Sequence, residues 1–583
     1  MATEPHAATG QEVELKLALP GGDATQWARE LARVPALARH KAQRRQLLSV
    51  YYDTPDLRLC AQRAALRLRH VANVEASAEA ADAATRAATD AAAPERGQWL
   101  QALKTDGGES ALSQRGEWEC AVPGPDLDVA ALQALPAWQP LDPDGNIAAV
   151  LQPCFCTTCE RTTWTLRRRG GATIEVALDI GQIEAGERTA PIAEIELELL
   201  TGAPSDLFDL ARQIAAHVAV LPLAASKAER GFALARGKLH APRRARPPAL
   251  TPRQPLPVLA FAMLSEMWGQ FSANLYALCQ ADDPELVHQV RVGWRRLRSA
   301  QRLLRPALAQ PDSPGRAQLA PMFERLGALR DLDVAATQVL PALRAAYLAD
   351  DAASVPVGVV VAVEDVPAAA PGGAPDGLPA ESGAALPPDL QRAQDWLVAE
   401  QAFAQAADRA RAALRAALQQ PQTGLALLDL LHWLHSLTEP AAWALEGAAA
   451  SQAQSNAPRR WLRRRIERLH ANWQRACAQA EHSDQVADLH RARILAKRLR
   501  YNLEVLRPLL PPRMQRWWQD ATRLQQGVGV QRDFVQAAVL AQRLAQQGAL
   551  ERGIAEFLRG VAVGRAMEAQ QGAQRSEQSA QRR

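Results

Sequence analysis

The segment Glu194-Ile195-Glu196-Leu197-Glu198-Leu199 alternates carboxylate and aliphatic side chains without a break. Successive side chains of a strand point to opposite faces, so a strand here lines one face with three acids and the other with apolar groups. The alternation recurs, sorted by sign. Glu12 and Glu14 lead to Lys16; Arg67 and Arg69 share a face; Arg115 is in phase with Glu117 and Glu119; Glu175 is in phase with Asp179. Like charges at i, i+2 and i+4 repel one another. A hydrated outer face mixes its signs, whereas sorted rows are favoured when ions fill the space between them. The sequence therefore predicts an antiparallel sheet closed around a polar lumen, in which carboxylates take a divalent cation and Arg and Lys take anionic oxygens.

The second half of the chain contains a duplication. His288-x2-Arg291-x3-Arg295-Arg296-Leu297-Arg298 returns 202 residues later as His490-x2-Arg493-x3-Lys497-Arg498-Leu499-Arg500. Leu304-Arg305-Pro306 and Gly327-x2-Arg330-Asp331 return at the same offset as Leu506-Arg507-Pro508 and Gly529-x2-Arg532-Asp533. A constant shift over such a length marks an internal repeat. On a helix His288, Arg291, Arg295, Arg298 and Arg302 form one stripe, and Val290, Trp294, Leu297 and Leu304 form an apolar one suited to a bundle. His490, Arg493, Lys497 and Arg500 repeat the basic stripe. The first of these helices holds six arginines from His288 to Arg305 and no acid, so it lacks the i,i+4 pairs that neutralise an ordinary solvated face. Such a stripe reads as a polyanion-binding surface. A third basic segment, Arg459-Arg460-Trp461-Leu462-Arg463-Arg464-Arg465, precedes the second copy.

Breaks in pattern divide the chain. Residues 10–236 are strand-rich, with an Ala/Asp/Glu/Thr insertion at 71–97; residues 237–256 form a Pro/Arg-rich linker; residues 257–565 are helix-rich, with a disordered insertion at about 350–390; residues 566–583 read as a disordered tail. The N-terminus lacks the order of a signal peptide, and no apolar run approaches the ~20 residues that span a bilayer. Three of the seven cysteines stand as Cys154-x-Cys156-x2-Cys159, with no fourth ligand to complete a zinc site, and read as reduced thiols. The expectation is a soluble cytoplasmic protein, with no membrane partner. His70 reads as a surface residue.

The ordered series Glu12-x-Glu14-x-Lys16, Tyr51-Tyr52-Asp53-Thr54-Pro55-Asp56-Leu57, Leu66-Arg67-Leu68-Arg69, Leu103-Lys104, Arg115-x-Glu117-Trp118-Glu119, Arg161 with Trp164, Glu175-x3-Asp179, the triplet at Glu194, Glu196 and Glu198, and Ser226-Lys227-x-Glu229-Arg230-Gly231 resembles the CYTH, or triphosphate tunnel metalloenzyme, family. The paired His-x2-Arg helices resemble the CHAD domain, a two-fold pseudo-symmetric helical bundle. Together these resemblances imply an α+β multidomain chain: an eight-stranded antiparallel β-tunnel followed by an all-α bundle with an internal repeat. They imply an enzyme, an inorganic triphosphatase using Mg2+ or Mn2+, whose helical domain binds inorganic polyphosphate, in the cytoplasm and on polyphosphate granules. Carried over by position, Glu12, Glu14, Glu194 and Glu196 are implied as metal ligands, with Glu198 in phase but farther along its strand. Lys16, Arg67, Arg69, Lys104, Arg115, Arg161 and Lys227 are implied as phosphate clamps. Glu117, Glu119, Glu175 and Asp179 stay open between metal ligands, water-orienting groups and partners of the clamp. His288, Arg291, Arg295, Arg298, His490, Arg493, Lys497 and Arg500 are implied as polyphosphate contacts.

Three other readings compete. The tunnel could act on thiamine triphosphate or a nucleoside triphosphate, or cyclise ATP. The chain could be a non-catalytic polyphosphate-binding or targeting protein. Nucleic-acid binding through the basic helices ranks last, because no stacking aromatics interleave with the arginines in a recognised motif.

Overall fold

A computed structural model of the chain describes residues 10–73, 97–105, 111–349, 388–444, 457–483 and 485–581. The sequence-read insertions at 71–97 and 350–390 therefore fall almost entirely outside the described residues. The chain divides into two compact units, Met1–Leu326 with Ala412–Leu524, and Gly327–Arg411 with Gln525–Arg583.

In the first unit the alternating segments form β1 (Gly10–Ala18), β2 (Gln43–Asp53), β3 (Ala64–Asn73), β4 (Gln98–Thr105), β5 (Leu112–Val122), β6 (Gln152–Arg167), β7 (Thr173–Ala185) and β8 (Arg188–Thr201). All neighbours are antiparallel, in the order β5-β4-β3-β2-β6-β7-β8-β1, and β1 pairs again with β5. That pairing closes an eight-stranded barrel and leaves no free edge, as the resemblance implies. A two-residue strand, β9 (Leu221–Pro222), adds to the end of β1.

The alternation predicted inward-facing charges, and the register brings them together: Glu12 lies opposite Arg115, Lys16 opposite Glu196, and Glu14 opposite Glu198. Toward the other end of the lumen the inward positions turn apolar. Leu47, Tyr51, Phe155, Ile183 and Ile192 form a buried cluster there. Helix α5 (Lys227–Ala235) packs onto it through Phe232 and Leu234. Gly231 allows the close approach, since a Cβ there would sit 2.0 Å from the Phe155 ring. On the outside, Leu66 and Leu103 are covered by Leu132 of the short helix α3 (Val129–Gln133) together with Trp138 and Ile147.

Two sequence expectations change here. His70 is not a surface residue; it is 3% exposed and packs on its cross-strand neighbour Trp99, ring centroids 4.8 Å apart. The sorted rows are also largely neutralised within the protein, because acidic strands face basic neighbours. Arg67 pairs with Glu119 (3.1 Å), Lys104 with Glu117 (2.8 Å), and Arg161 with Asp179 (2.6 Å). External ions are not needed for most of the balance.

Helices α1 (Ala24–Ala32), α2 (Arg58–Ala61) and α4 (Pro204–Ala215) complete the barrel region. The helical part of this unit contains α6 (Leu256–Ala277), α7 (Pro284–Leu304), α11 (Pro421–Ser436), α12 (Ala457–Glu481) and α13 (Val486–Val505). It also contains the first turns of α8 (Arg316–Val334), the last turns of α10 (Pro388–Leu418) and the start of α14 (Gln515–Gln546). The predicted apolar stripe of α7 is buried: Val290, Leu297 and Leu304 are 0%, 3% and 0% exposed. Gly293 lets α6 come close, as a Cβ there would lie 2.9 Å from the Phe271 nitrogen. The duplication extends to the preceding helix. Leu264 and Phe271 of α6 and Ile466 and Trp473 of α12 stand 202 residues apart and are all buried. Repeat helices α7 and α13 touch, with Asn502 Nδ2 donating to the Ser299 carbonyl (3.4 Å).

The linker is not a free tether. The Arg243 and Arg246 nitrogens donate to Asn274 Oδ1 (2.9 Å) and Glu266 Oε1 (2.7 Å) of α6. Helix α4 of the barrel region docks on α11. Arg212 Nε donates to Asp429 (2.7 Å), its Nη2 reaches His432 Nδ1 (2.6 Å), and Phe208 stacks on the His432 ring at 4.6 Å.

The second unit holds the rest of α8, α10 and α14, with α9 (Leu340–Leu348) and α15 (Arg552–Gln581). Tyr347, Trp396 and Phe557 form its aromatic contact, and Arg411 pairs with Asp333 (3.3 Å) in its interior. Helix α15 runs through most of the stretch 566–583 that the sequence reading assigns to a tail.

Candidate active site

The charged rows meet in a cavity of about 1040 Å3 inside the barrel. Lys16, Arg67, Arg69, Lys104, Arg115, Arg161 and Lys227, all read as clamps, line it, as do Glu12, Glu14, Glu117, Glu119, Glu175, Glu196 and Glu198. Strand geometry delivers most of these side chains. Lys227 arrives differently, from a helix whose first turn is fixed by a reciprocal cap: Glu229 N donates to Ser226 Oγ (3.2 Å), and Ser226 N donates to Glu229 Oε2 (2.8 Å).

The acids fall into two groups. Around Lys227 stand Asp179 (2.6 Å), Glu196 (2.8 Å) and Glu194, with Asp179 and Glu194 fully buried. Their oxygens are close enough together to hold a metal ion, but the Lys227 ammonium already contacts all three. Arg230 also binds Glu194. Glu194 is thus turned toward α5. Burial favours the neutral forms of Asp179 and Glu196, yet Arg161 and Lys227 outweigh it and hold both below the ordinary carboxylate range.

The other group is Glu12, Glu14 and Glu198. Burial works against the Glu12 charge, but Lys104 and Arg115 keep it well below its usual value. Glu14 pairs with Lys16 (2.5 Å) and Arg115 (2.8 Å), yet burial, with the repulsion of Glu196 and Glu12, raises it. Glu198 is pushed up to about 7 by burial, then by Glu12 and Glu14. In these two the negative charge is disfavoured, because burial and neighbouring acids outweigh their cationic partners.

The opposite excess lies on β3 and β6. Arg69 is 9% exposed and donates to Ser49 Oγ (3.0 Å); it meets no carboxylate among the described residues. Burial, then Arg67 and Arg161, pushes it down to about 10. Three guanidinium groups therefore share one desolvated region. The thiol beside them, Cys159, is raised to about 11 by burial and then by Asp179, so it stays protonated.

Some functional positions are not visible as chemistry in the sequence. Asp53 is fully buried and accepts from the backbone nitrogens of Thr54 (2.7 Å), Leu59 (2.8 Å) and Cys60 (2.8 Å). It holds a turn in which Leu57 and Arg63 take left-handed backbone angles (φ 58° and 56°). Ser49, Arg230 and the α6 residue Tyr276, which lines one small cavity with Arg230, also belong to the charged network. Asp53 and Arg230 fall within motifs quoted from the sequence, but only the contacts show what each of these residues does.

In the helical part, His288, Arg291, Arg295 and Arg298 lie half-buried on one side of α7; His490 is exposed, Arg493 buried, and Lys497 and Arg500 half-buried on α13. Arg298 is pushed down to about 10 by burial, then by Arg302, Arg316 and Arg498. The two repeats thus contribute to one basic patch. Arg296 points the other way, 2% exposed and paired with Glu266 (2.9 Å).

Comparison with known proteins agrees with this architecture. The CYTH domain profile matches residues 10–232 and the CHAD domain profile matches residues 262–544. An inorganic triphosphatase of Haemophilus influenzae is 32% identical over 226 residues, 38% of this chain and 55% of that protein, so the chain spans about half the length of this relative. The CHAD domain of the plant Ricinus communis is 26% identical, covering 56% of this chain and 92% of the plant protein with a TM-score of 0.42. A putative adenylyl cyclase of Hippeastrum with a dominant triphosphatase activity is 20% identical, covering 39% and 95%, with a TM-score of 0.26. The chain is a CYTH domain followed by a CHAD domain.

Proposed function

We propose that the barrel hydrolyses inorganic triphosphate with the help of a divalent cation, Mg2+ or Mn2+, and that the helical domain binds inorganic polyphosphate. The observation that carries the first part is Arg69, which meets no carboxylate among the described residues and is held with Arg67 and Arg161 inside a cavity that carboxylates also line. Buried like charges of this kind are costly unless an anion completes them. The matched relative is an inorganic triphosphatase, which favours that substrate over thiamine triphosphate or ATP.

The donor set fits a hard cation, since Glu12, Glu14, Glu196 and Glu198 offer only oxygen. Glu198 joins this set beside them; Glu194, which the resemblance also implies as a ligand, lies close to Glu196 and is engaged by Lys227 and Arg230. Held by these carboxylates, a divalent cation would supply neutralisation of charge on the phosphate oxygens. The arginines orient the chain and spread the remaining charge; a largely dissociative transition state needs little more than such positioning. Cys159 is protonated, which favours attack by water over a covalent intermediate.

On the helices, the converging arginines of both repeats support polyphosphate binding. Phosphate release from triphosphate, ATP and thiamine triphosphate, with each metal, tests the reading. Wild type should prefer inorganic triphosphate, and Glu14→Gln and Lys104→Ala should each lose at least about tenfold in kcat/KM, roughly one charge-assisted contact. Variants equal to wild type would remove these residues from the site.

A further inference from the structure

The linker backbone at Arg246 is held by Glu266, and Glu266 is held in turn by Arg296 of α7. Glu266 is 8% exposed and Arg296 2%, so this is an interior ion pair. Arg246 lies on the wall of the barrel cavity, as do Arg236 at the end of α5 and Lys227. At about 1040 Å3 the cavity is as large as those that enclose whole drug-sized ligands, and has room beyond the Arg67–Arg69–Arg161 cluster.

The duplication shows that Glu266 is not simply part of the repeat. At the offset of 202, Arg498 corresponds to Arg296, and Arg468 to Glu266. The second copy thus keeps the arginine but has a base where the first has an acid, and its arginine joins the basic patch instead. In the first copy Gln270 accepts from the inward-turned Arg296, and Glu266 balances its charge with one oxygen and holds the linker with the other.

We propose that Arg246 contacts substrate in the barrel and favours linear phosphate chains longer than three units, with Glu266 and Arg296 as its positioning pair. The proposal rests on the triphosphatase reading above. Three phosphoryl groups can be held by the inner arginines, so a contact from the linker is reached by the next unit along the chain. A guanidinium suits it, since it offers paired N–H donors to phosphate oxygens.

The test uses the full chain and two substrates, inorganic tripolyphosphate and linear tetraphosphate, and reads the ratio of their kcat/KM values. Arg246→Ala should lower the tetraphosphate-to-tripolyphosphate ratio about tenfold, mainly through KM, as loss of one charge-assisted hydrogen bond would. Arg246→Lys should restore part of it and Arg246→Glu should lower it further. Glu266→Gln should shift the ratio in the same direction. The ratio compares two substrates on one protein, so any change in a variant's folded fraction cancels from it. An unchanged ratio in Arg246→Ala and Arg246→Glu overturns the proposal. A wild-type protein that hydrolyses neither substrate overturns the triphosphatase reading, and the proposal with it.

Discussion

Replacing Lys227 by Met removes the ammonium at the centre of Asp179, Glu194 and Glu196 while keeping a side chain of similar length. Lys227 is 6% exposed and two of its partners 0%. Deleting one member of a buried ion pair costs ~3–5 kcal/mol. Arg161 still grips Asp179 and Glu196, and Arg230 still grips Glu194, so the lower end, about 3 kcal/mol, is expected. For a barrel of this size that is a fall of roughly 6–12 °C in melting temperature. The sign with pH separates this account from simple loss of packing. In the wild type, Asp179 and Glu196 are held below their ordinary values, so their stabilisation is present above about pH 4.5 and is lost as pH falls through the depressed values. In the variant, burial without the ammonium raises these carboxylates. The deficit should then be smallest near pH 5 and grow toward pH 8, and Mn2+ should reverse it by taking the vacated position. Calorimetric melts of both proteins at the two pH values, with and without Mn2+, measure this. A deficit equal at both pH values and indifferent to metal would refute the reasoning.

Three further variants test the geometry. Arg69→Met should keep or raise the melting temperature, because it relieves the crowding with Arg67 and Arg161. The same change should lower kcat/KM for triphosphate about 10- to 100-fold, the value of one strong contact to an anion. Gly231→Ala should destabilise the barrel by ~1–3 kcal/mol, read as a lower melting temperature, since its methyl would collide with the Phe155 ring. Arg298→Glu with Arg498→Glu should weaken binding of long-chain polyphosphate about tenfold or more and flatten its dependence on salt, measured by titration at rising ionic strength. Stronger retention of duplex DNA than of polyphosphate by the wild type would favour the nucleic-acid reading instead.

The local chemistry was legible because strand and helix periods are short. Two-residue alternation identified the inward faces of β1, β3 and β8, and the period of α7 separated the buried Val290–Leu297–Leu304 stripe from the basic one. Which rows face each other depends on the order of the strands, a property of the closed sheet that no single segment contains. That is why the acids and bases read as awaiting external ions when many complete one another across neighbouring strands. Glu194 and Glu198 likewise share one alternation, and what separates them is tertiary: α5 engages Glu194 through Lys227 and Arg230, while burial beside Glu12 and Glu14 raises Glu198. His70 was misread because burial of the barrel's outside by neighbouring side chains has no periodic signature. Arg296 sits within a legible motif, but its direction is set by Gln270, to which it donates, and by the charge of Glu266, both on another helix.

The docking of α4 on α11 bears on how this molecule can be taken apart. Phe208 is 1% exposed in the whole chain, and Leu207, Leu210 and Ile214 of the same helix are 0–1% exposed. Cutting the polypeptide after residue 240 would strip the Phe208 ring of His432 and leave an oily patch on an otherwise well-made barrel. Soluble expression of the isolated barrel therefore calls for polar replacements at that patch, or for carrying residues 421–436 along as a cover.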